Sequence, residues 1–439
     1  MYSQAIRKFL ERVGVKAGDR VEIEKKGKIY QGILMPRPET GDPNCLVLKL
    51  PSGYNLGIAF EKGIKIRKLK APTEKARKPK PPKFRKDLPG VTLFAVGGTI
   101  GSRVDYRTGG VYALMEPEEF LFNLPELSEI ARLESIQRPF TKMSEDMDPK
   151  DWQVLAKEVA KKLNREADGV VIAHGTDTMH FTSAALSFML RNLSKPVVLT
   201  GSQRSSDRPS SDAGMNLICS CWVARSDIAE VGICMHATSS DDYCHFLPGT
   251  KARKLHSTRR DAFRPINSKP IARVWPDGRL ETLTAYRKRS DSQVEADVKF
   301  EERVALIKAY PGSDPALLEF LASKGYRGIV IEGTGLGHVP TQARKSWIPA
   351  IKKLVKDGIP VVITTQTLYG RVNPWVYTNL RILFSTGAIS GEDMLPETAY
   401  VKLGWVLGHT QDPEEVRKLM LQNLAGEIKE RSLPDTFLI

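Results

Sequence analysis

Four apolar runs in this chain each lead into a turn rich in glycine or small hydroxyl residues. They are Gly97-Gly98-Thr99 after VTLFAV, His174-Gly175-Thr176-Asp177-Thr178 after GVVIA, Gly201-Ser202-Gln203 after PVVLT, and His236-Ala237-Thr238-Ser239-Ser240 after VGICM. A threonine or serine hydroxyl is a poor nucleophile at its ordinary pKa and attacks an acyl carbon only when a base takes its proton. Glycines beside it let backbone N–H groups approach a ligand. The turns carry one acid, Asp177. The stretch GTKARKLHSTRRDAF offers Lys251, Lys254 and His256 as bases, and VDYRTGGV offers Tyr106. A lysine drawn into a partly buried site near other cations can lose its proton and serve. Acyl transfer by a hydroxyl nucleophile is the chemistry this composition suits. The turns contain no G-x-x-x-x-G-K-[ST], G-x-G-x-x-G or G-x-S-x-G sequence, which argues against a phosphate cradle and a serine-hydrolase elbow. No H-x-x-x-H or mixed Cys/His spacing suggests a metal, so none is expected, and His174 and His236 read as structural histidines.

Such residues need strands that bring them to one rim. From about residue 90, apolar runs of four to six residues alternate with helical stretches, continuing through GIVIEG and PVVITT. Continuous apolar strands flanked by helices predict a sheet covered on both faces, hence parallel and α/β. Ligands bind such sheets at the carboxyl ends of the strands, where the four turns lie. One connecting helix is signalled by Asp148 as N-cap, Pro149 at the first position, and Trp152, Leu155, Val159 and Leu163 on one face. Another is expected from Thr341 to about Asp357, stopping at Gly358. Four strands, a long polar and basic stretch over about 250 to 300, then two more strands predict two α/β lobes, 90–280 and 281–439.

Residues 1–68 differ. A short amphipathic helix with Ile6, Phe9, Leu10 and Val13 on one face precedes short alternating strands divided by turn signals at KKGK and PSGYN. A small closed β-barrel is expected, because a lone hairpin would be marginal. Residues 69–89 then form a basic linker with Pro72, Pro79, Pro81 and Pro82.

The chain of 439 residues has room for two or three domains, and its 41% hydrophobic and 27% charged residues suit an ordinary globular protein. No apolar run approaches the roughly 18 to 20 residues that span a bilayer. The first residues lack the pattern of a signal peptide, so a cytoplasmic protein with no membrane partner is expected. The net charge is +15, but residues 65–86 hold eleven Lys or Arg against one Glu. The excess is a stripe on the linker that suits a solvated tether or an anionic partner such as nucleic acid. Cys45, Cys219, Cys221, Cys234 and Cys244 are odd in number with no C-x-x-C pair, and buried free thiols are expected.

AVGGTIGS and AHGTDTM resemble the two threonine signatures of bacterial-type L-asparaginases, in the family's order and about 77 residues apart. KMSEDMDP, LTGSQRSSDRPSSDAGMNL and RKLHSTRRDAF resemble further family segments, so the resemblance covers about residues 90–425. It implies Thr99 as primary nucleophile on a mobile lid, with Tyr106, aligned through Y-x-x-G-x-V, helping to move its proton. It further implies Thr176 and Lys254 as a second hydroxyl and base pair, and Asp177 as the anion for the substrate's α-ammonium. Ser144 and Glu145 would contact the amino-acid end of the substrate, and Ser202 its side-chain amide.

Plain asparaginases begin near the first of these strands. With its extra N-terminal domain and tether, and a lid reading GSRVDYRTGG, the chain resembles the D-subunit family of archaeal glutamyl-tRNA(Gln) amidotransferases. That family implies an α/β, two-lobed L-asparaginase-like fold with parallel sheets, preceded by a small N-terminal β-barrel domain. It implies that glutamine or asparagine is hydrolysed to ammonia with no cofactor in this chain. A partner, the amidotransferase's E subunit, with ATP and Mg²⁺, would use the ammonia on misacylated tRNA(Gln), in an α2β2 assembly around a homodimer core. A free-standing asparaginase, or a tRNA-binding scaffold with an inactive amidase site, are the other readings. The N-terminal 90 residues weigh against the first, and the joint presence of Thr99, Thr176, Asp177 and Lys254 against the second.

Overall fold

The computed structural model describes residues 2–37, 42–50, 55–69, 87–98, 102–104, 111–113, 124, 126–205 and 210–438. Near the N-terminus, the Gln4–Arg12 helix is capped by the Ser3 hydroxyl and turns Ile6 and Leu10 inward. Five strands follow: β1 (Arg20–Lys25), β2 (Lys28–Leu34), β3 (Cys45–Lys49), β4 (Asn55–Ala59) and β5 (Lys65–Lys68). They form an antiparallel sheet in the order β4-β3-β2-β1-β5. Its core joins Val21, Ile23, Leu34, Leu46 and Leu48 to the two helix residues. A β4–β5 ladder that would close the barrel is not among the pairings of the described residues.

The first large lobe is built on β6 (Gly90–Ala95), in which all six residues are buried. A small hairpin, β7 (Ser102–Val104) with β8 (Val111–Ala113), follows in the chain. β9 (Arg132–Gln137) and β10 (Gly169–Ala173) then flank β6 in parallel. After the two-residue β11 (Leu190–Arg191), β12 (Val197–Thr200) and β13 (Val231–His236) extend the parallel set. Sequence pattern misses β9 at the sheet edge, whose RLESIQ has only Leu133 and Ile136 as apolar residues, in neither a continuous run nor a strict alternation; only the doubly covered strands read as continuous apolar runs.

The polar and basic stretch after residue 250 is folded, and the strand before it joins the same sheet. β14 (Cys244–Pro248), β17 (Ala272–Val274) and β18 (Leu280–Thr282) continue the sheet antiparallel, while β15 (Ala252–Lys254) and β16 (Phe263–Pro265) pair with each other. The lobe boundary expected at 280/281 falls inside β18. β19 (Glu295–Ala296) returns to pair with β11.

The second lobe is a parallel sheet of β20 (Val304–Lys308), β21 (Gly328–Gly333), β22 (Val361–Thr365) and β23 (Ile389–Ser390). The helix expected from Thr341 begins later, at Ile348, with Pro349 in its first turn, and ends at Lys356. The Pro149–Leu163 helix starts as expected, with Asp148 and Asp151 forming a reciprocal cap.

One core joins the lobes. The Pro396–Leu407 helix packs on the Met179–Met189 helix of the first lobe and on β20 to β22 of the second. The shared cluster therefore includes Phe94, Leu186 and Phe188 as well as Val330, Val362 and Leu403. Within it lies an ion pair with no solvent contact, Lys402 Nζ to Glu427 Oε1 at 2.6 Å. Lys402 also donates to the carbonyls of Met420 and Gln422, and Glu427 accepts the Leu424 and Ala425 N–H groups. The pair ties the C-terminal residues to the helix at the lobe junction. Among the described residues no helix is long and apolar enough to cross a membrane.

Lys402→Met strands a buried carboxylate and is expected to cost about 3–5 kcal/mol, measured by chemical denaturation; a loss under about 1 kcal/mol, within the range of exposed pairs, contradicts this role.

Candidate active site

The parallel register sets the ends of β6 and β10 level. Ala95 lies opposite Ala173, Val96 N–H donates to the Ala173 carbonyl at 3.1 Å, and His174 N–H donates to that of Thr200 at 2.8 Å. The following turns are pressed together through glycines. Gly98 has φ +81°, and a Cβ there would lie 2.2 Å from Gly175 Cα. A Cβ on Gly175 would lie 2.7 Å from Ser144 Cβ, and one on Gly201 2.9 Å from Thr176 Cγ2. Side chains at these positions would force the turns apart, so glycine here serves close approach.

Into this rim projects Lys254, the last residue of β15. Its Nζ donates to Thr176 Oγ1 at 2.8 Å and to Asp177 Oδ1 at 2.7 Å. The lysine side chain is 10% exposed and that of Asp177 63%, while Thr176 is buried. An ammonium therefore lies inside the rim, against a hydroxyl, with the carboxylate facing solvent. Thr178 Oγ1 donates to the Ser144 carbonyl at 2.6 Å, fixing the buried Ser144 beside Gly175. Glu145 sits exposed in the same Ser144–Asp146 turn. Ser202 Oγ is buried with no hydrogen-bond partner among the described residues, as are Gln203 Nε2 and Ser205 Oγ.

Thr99 and Tyr106 lie outside the described residues; Gly98, which touches Gly175, is the last described residue before Thr99. Of the other candidate bases, Lys251 is fully buried against Asp393. His256 accepts the Thr258 and Arg259 N–H groups through Nδ1 and holds its own turn. Thr238 Oγ1 bonds the Ser240 carbonyl, within its own turn. Among the candidate bases that are described, only Lys254 reaches a described threonine of the rim, Thr176.

Two supports escaped sequence reading. Asp212 accepts the Gln203 and Arg204 N–H groups, and Asn216 donates to the Gly201 carbonyl and accepts from His236 N–H, so one helix start braces two turns. The signal was present as Asp and Asn four residues apart at that helix start, where they share a face. Behind the second turn, Trp152 Nε1 donates to Thr182 Oγ1, and Thr182 Oγ1 lies 2.9 Å from His174 Nε2. His174 Nδ1, 2.6 Å from the Gly175 carbonyl, must carry the proton, because a carbonyl only accepts. His174 is thus a neutral prop for the turn, and burial holds its pKa down at about 4. Burial does the same to His180, at about 3, helped by the charges of Arg253 and Lys254.

Residues 90–287 match the Asparaginase, N-terminal family, 303–420 the Glutaminase/Asparaginase C-terminal domain, and 15–69 the GatD N-terminal domain. The thermostable L-asparaginase of Thermococcus kodakarensis superposes with a TM-score of 0.69 at 33% identity, covering 78% of this chain and 100% of that one. L-asparaginase I of Vibrio cholerae gives 0.67 at 30% identity, covering 78% and 99%. The two lobes and their threonine rim therefore have the asparaginase fold. Full-length similarity goes further: the glutamyl-tRNA(Gln) amidotransferase D subunit of Pyrococcus furiosus is 54% identical over 99% of this chain and 100% of its own, and that of Thermococcus kodakarensis is 53% identical over 99% of each. The chain belongs to the D-subunit family of glutamyl-tRNA(Gln) amidotransferases.

Between pH 6.5 and about 4 the unfolded chain binds a proton on His174 that the folded protein excludes, so this contribution to stability falls as pH drops through that window. The thermal midpoint is expected to fall less steeply from pH 7 to 4 in His174→Gln than in the wild type; an unchanged slope would contradict the neutral prop.

Proposed function

We propose that this rim hydrolyses the side-chain amide of glutamine or asparagine, and that the chain is the ammonia-generating subunit of a tRNA-dependent amidotransferase. The observation that carries the amidase reading is the Lys254 ammonium set against both Thr176 Oγ1 and Asp177 Oδ1. Asp177 faces solvent where a substrate's α-ammonium would arrive, and Ser144 and Glu145 line the approach. Thr99 Oγ would attack the amide carbon, with Tyr106 moving its proton, to form a tetrahedral adduct. The C–N bond then breaks, a proton passes to nitrogen, and ammonia leaves an ester on Thr99. Water would attack that ester, Thr176 and Lys254 handling the protons, to release the acid and restore the hydroxyl. Ser202, buried and without a hydrogen-bond partner among the described residues, is suited to orient the amide.

The amidotransferase assignment rests on full-length similarity to relatives named for glutamyl-tRNA(Gln), including the 15–69 domain, which lies outside the residues that match the two asparaginase families. In this reading the partner E subunit binds ATP and Mg²⁺ and activates glutamate on tRNA(Gln). The ammonia made here converts that glutamate to glutamine, in a cytoplasmic α2β2 complex. Glutamine and asparagine differ by one methylene, which a pocket discriminates by only about 1–3 kcal/mol, so both stand as amide donors.

Ammonia release by the reconstituted complex is expected to fall at least about 100-fold in Lys254→Met and in Thr99→Ala. Activity within about threefold of wild type in either variant, less than such catalysis contributes, overturns the site assignment.

A further inference from the structure

β15 is three residues long and pairs only with the equally short β16 among the described strands. A two-stranded ladder of that length has little stability of its own, yet it ends in Lys254, whose Nζ must meet two atoms at once. Besides packing on the Met179–Met189 helix, the strand is tied to the other lobe. Lys251, with no solvent exposure, sends its Nζ to Asp393 Oδ2 at 2.8 Å and to the Asp393 carbonyl at 2.9 Å. Asp393 is itself held, because its Oδ1 accepts the Lys429 N–H at 2.9 Å. Arg253, adjacent to Lys254, meets Glu397 in the first turn of the Pro396–Leu407 helix. Both anchors lie more than a hundred residues along the chain from β15, Asp393 between β23 and that helix and Glu397 in the helix's first turn.

We infer that Lys251 and Arg253 are positioning residues: their ion pairs with Asp393 and Glu397 dock β15 on the second lobe and thereby place the Lys254 ammonium between Thr176 and Asp177. The inference rests on the proposed role of Lys254 in amide hydrolysis. Burial pushes the Lys251 pKa down to about 8 against the pull of Asp393, so near neutral pH the lysine stays charged and the pair intact. Removing both charges of a buried pair strands neither of them and so avoids the large cost of removing one, whereas displacing a catalytic group by about 1 Å can cost up to about 100-fold in rate. Stability and turnover are therefore expected to separate.

The test uses the full-length chain in the same reconstituted complex, assayed for ammonia release from glutamine and asparagine. The variants are Lys251→Met/Asp393→Asn, Glu397→Gln and, as reference, Lys254→Met. The first two are expected to melt cooperatively, with kcat lowered about tenfold or more and KM within about threefold, the signature of a lost transition-state interaction. The inference is overturned if kcat stays within about twofold in both, or if its fall matches the unfolded fraction at the assay temperature or a parallel rise in KM. Should the double variant not fold, Glu397→Gln alone decides. Activity surviving in Lys254→Met instead refutes the reading of the site, and that outcome is distinct from failure of the two braces.

Discussion

The site depends on one ammonium. Lys254 Nζ lies within hydrogen-bond distance of a buried hydroxyl and an exposed carboxylate, and few placements of a long, flexible side chain satisfy both. A lysine carries about 2 kcal/mol of rotamer entropy, so holding it demands that strand, turn and lobe be settled beforehand. The rest of the architecture can be understood as the means of settling them. The parallel sheet delivers the Thr176 turn; glycines at 98, 175 and 201 let neighbouring turns touch closely; and two ion pairs, that of Lys251 fully buried, tie the lysine's strand to the far lobe.

Polar groups inside this protein are costly unless satisfied, and several of those that are satisfied hold the scaffold around the site. His174, His236, Asp212, Asn216, Lys402 and Glu427 each have specific partners and hold turns or lobes. The side-chain atoms Ser202 Oγ, Gln203 Nε2 and Ser205 Oγ are buried without partners among the described residues, and they follow the strand whose end abuts Thr176. Such groups suit a surface that awaits a ligand's donors and acceptors.

Much of this was legible in the sequence. Continuous apolar runs marked the central strands, and hydroxyl-rich turns at their carboxyl ends marked the rim, because strand burial and rim chemistry are local properties of the chain. The motif around Thr176, Asp177 and Lys254 pointed to the residues that the fold brings together. The edge strand β9 was hidden because its two apolar residues, Leu133 and Ile136, form neither a run nor an alternation, and the start of the Ile348–Lys356 helix was misplaced by seven residues because apolar spacing carried no stop before Pro349. Lys251 read as a possible base in a basic stretch; nothing local tells that a carboxylate 142 residues away neutralises it. Long-range pairing of charges is the part of the design that composition and periodicity do not encode.

The central claim is that the hydroxyl following the β6 glycines is the nucleophile served by the Lys254 site. A diazoketone analogue of glutamine, which alkylates an activated nucleophile, can be reacted with the intact complex and the modified peptide located by mass spectrometry. The account predicts a single adduct on Thr99, competed away by glutamine. An adduct on Thr176 or Ser202 with Thr99 unmodified would contradict it.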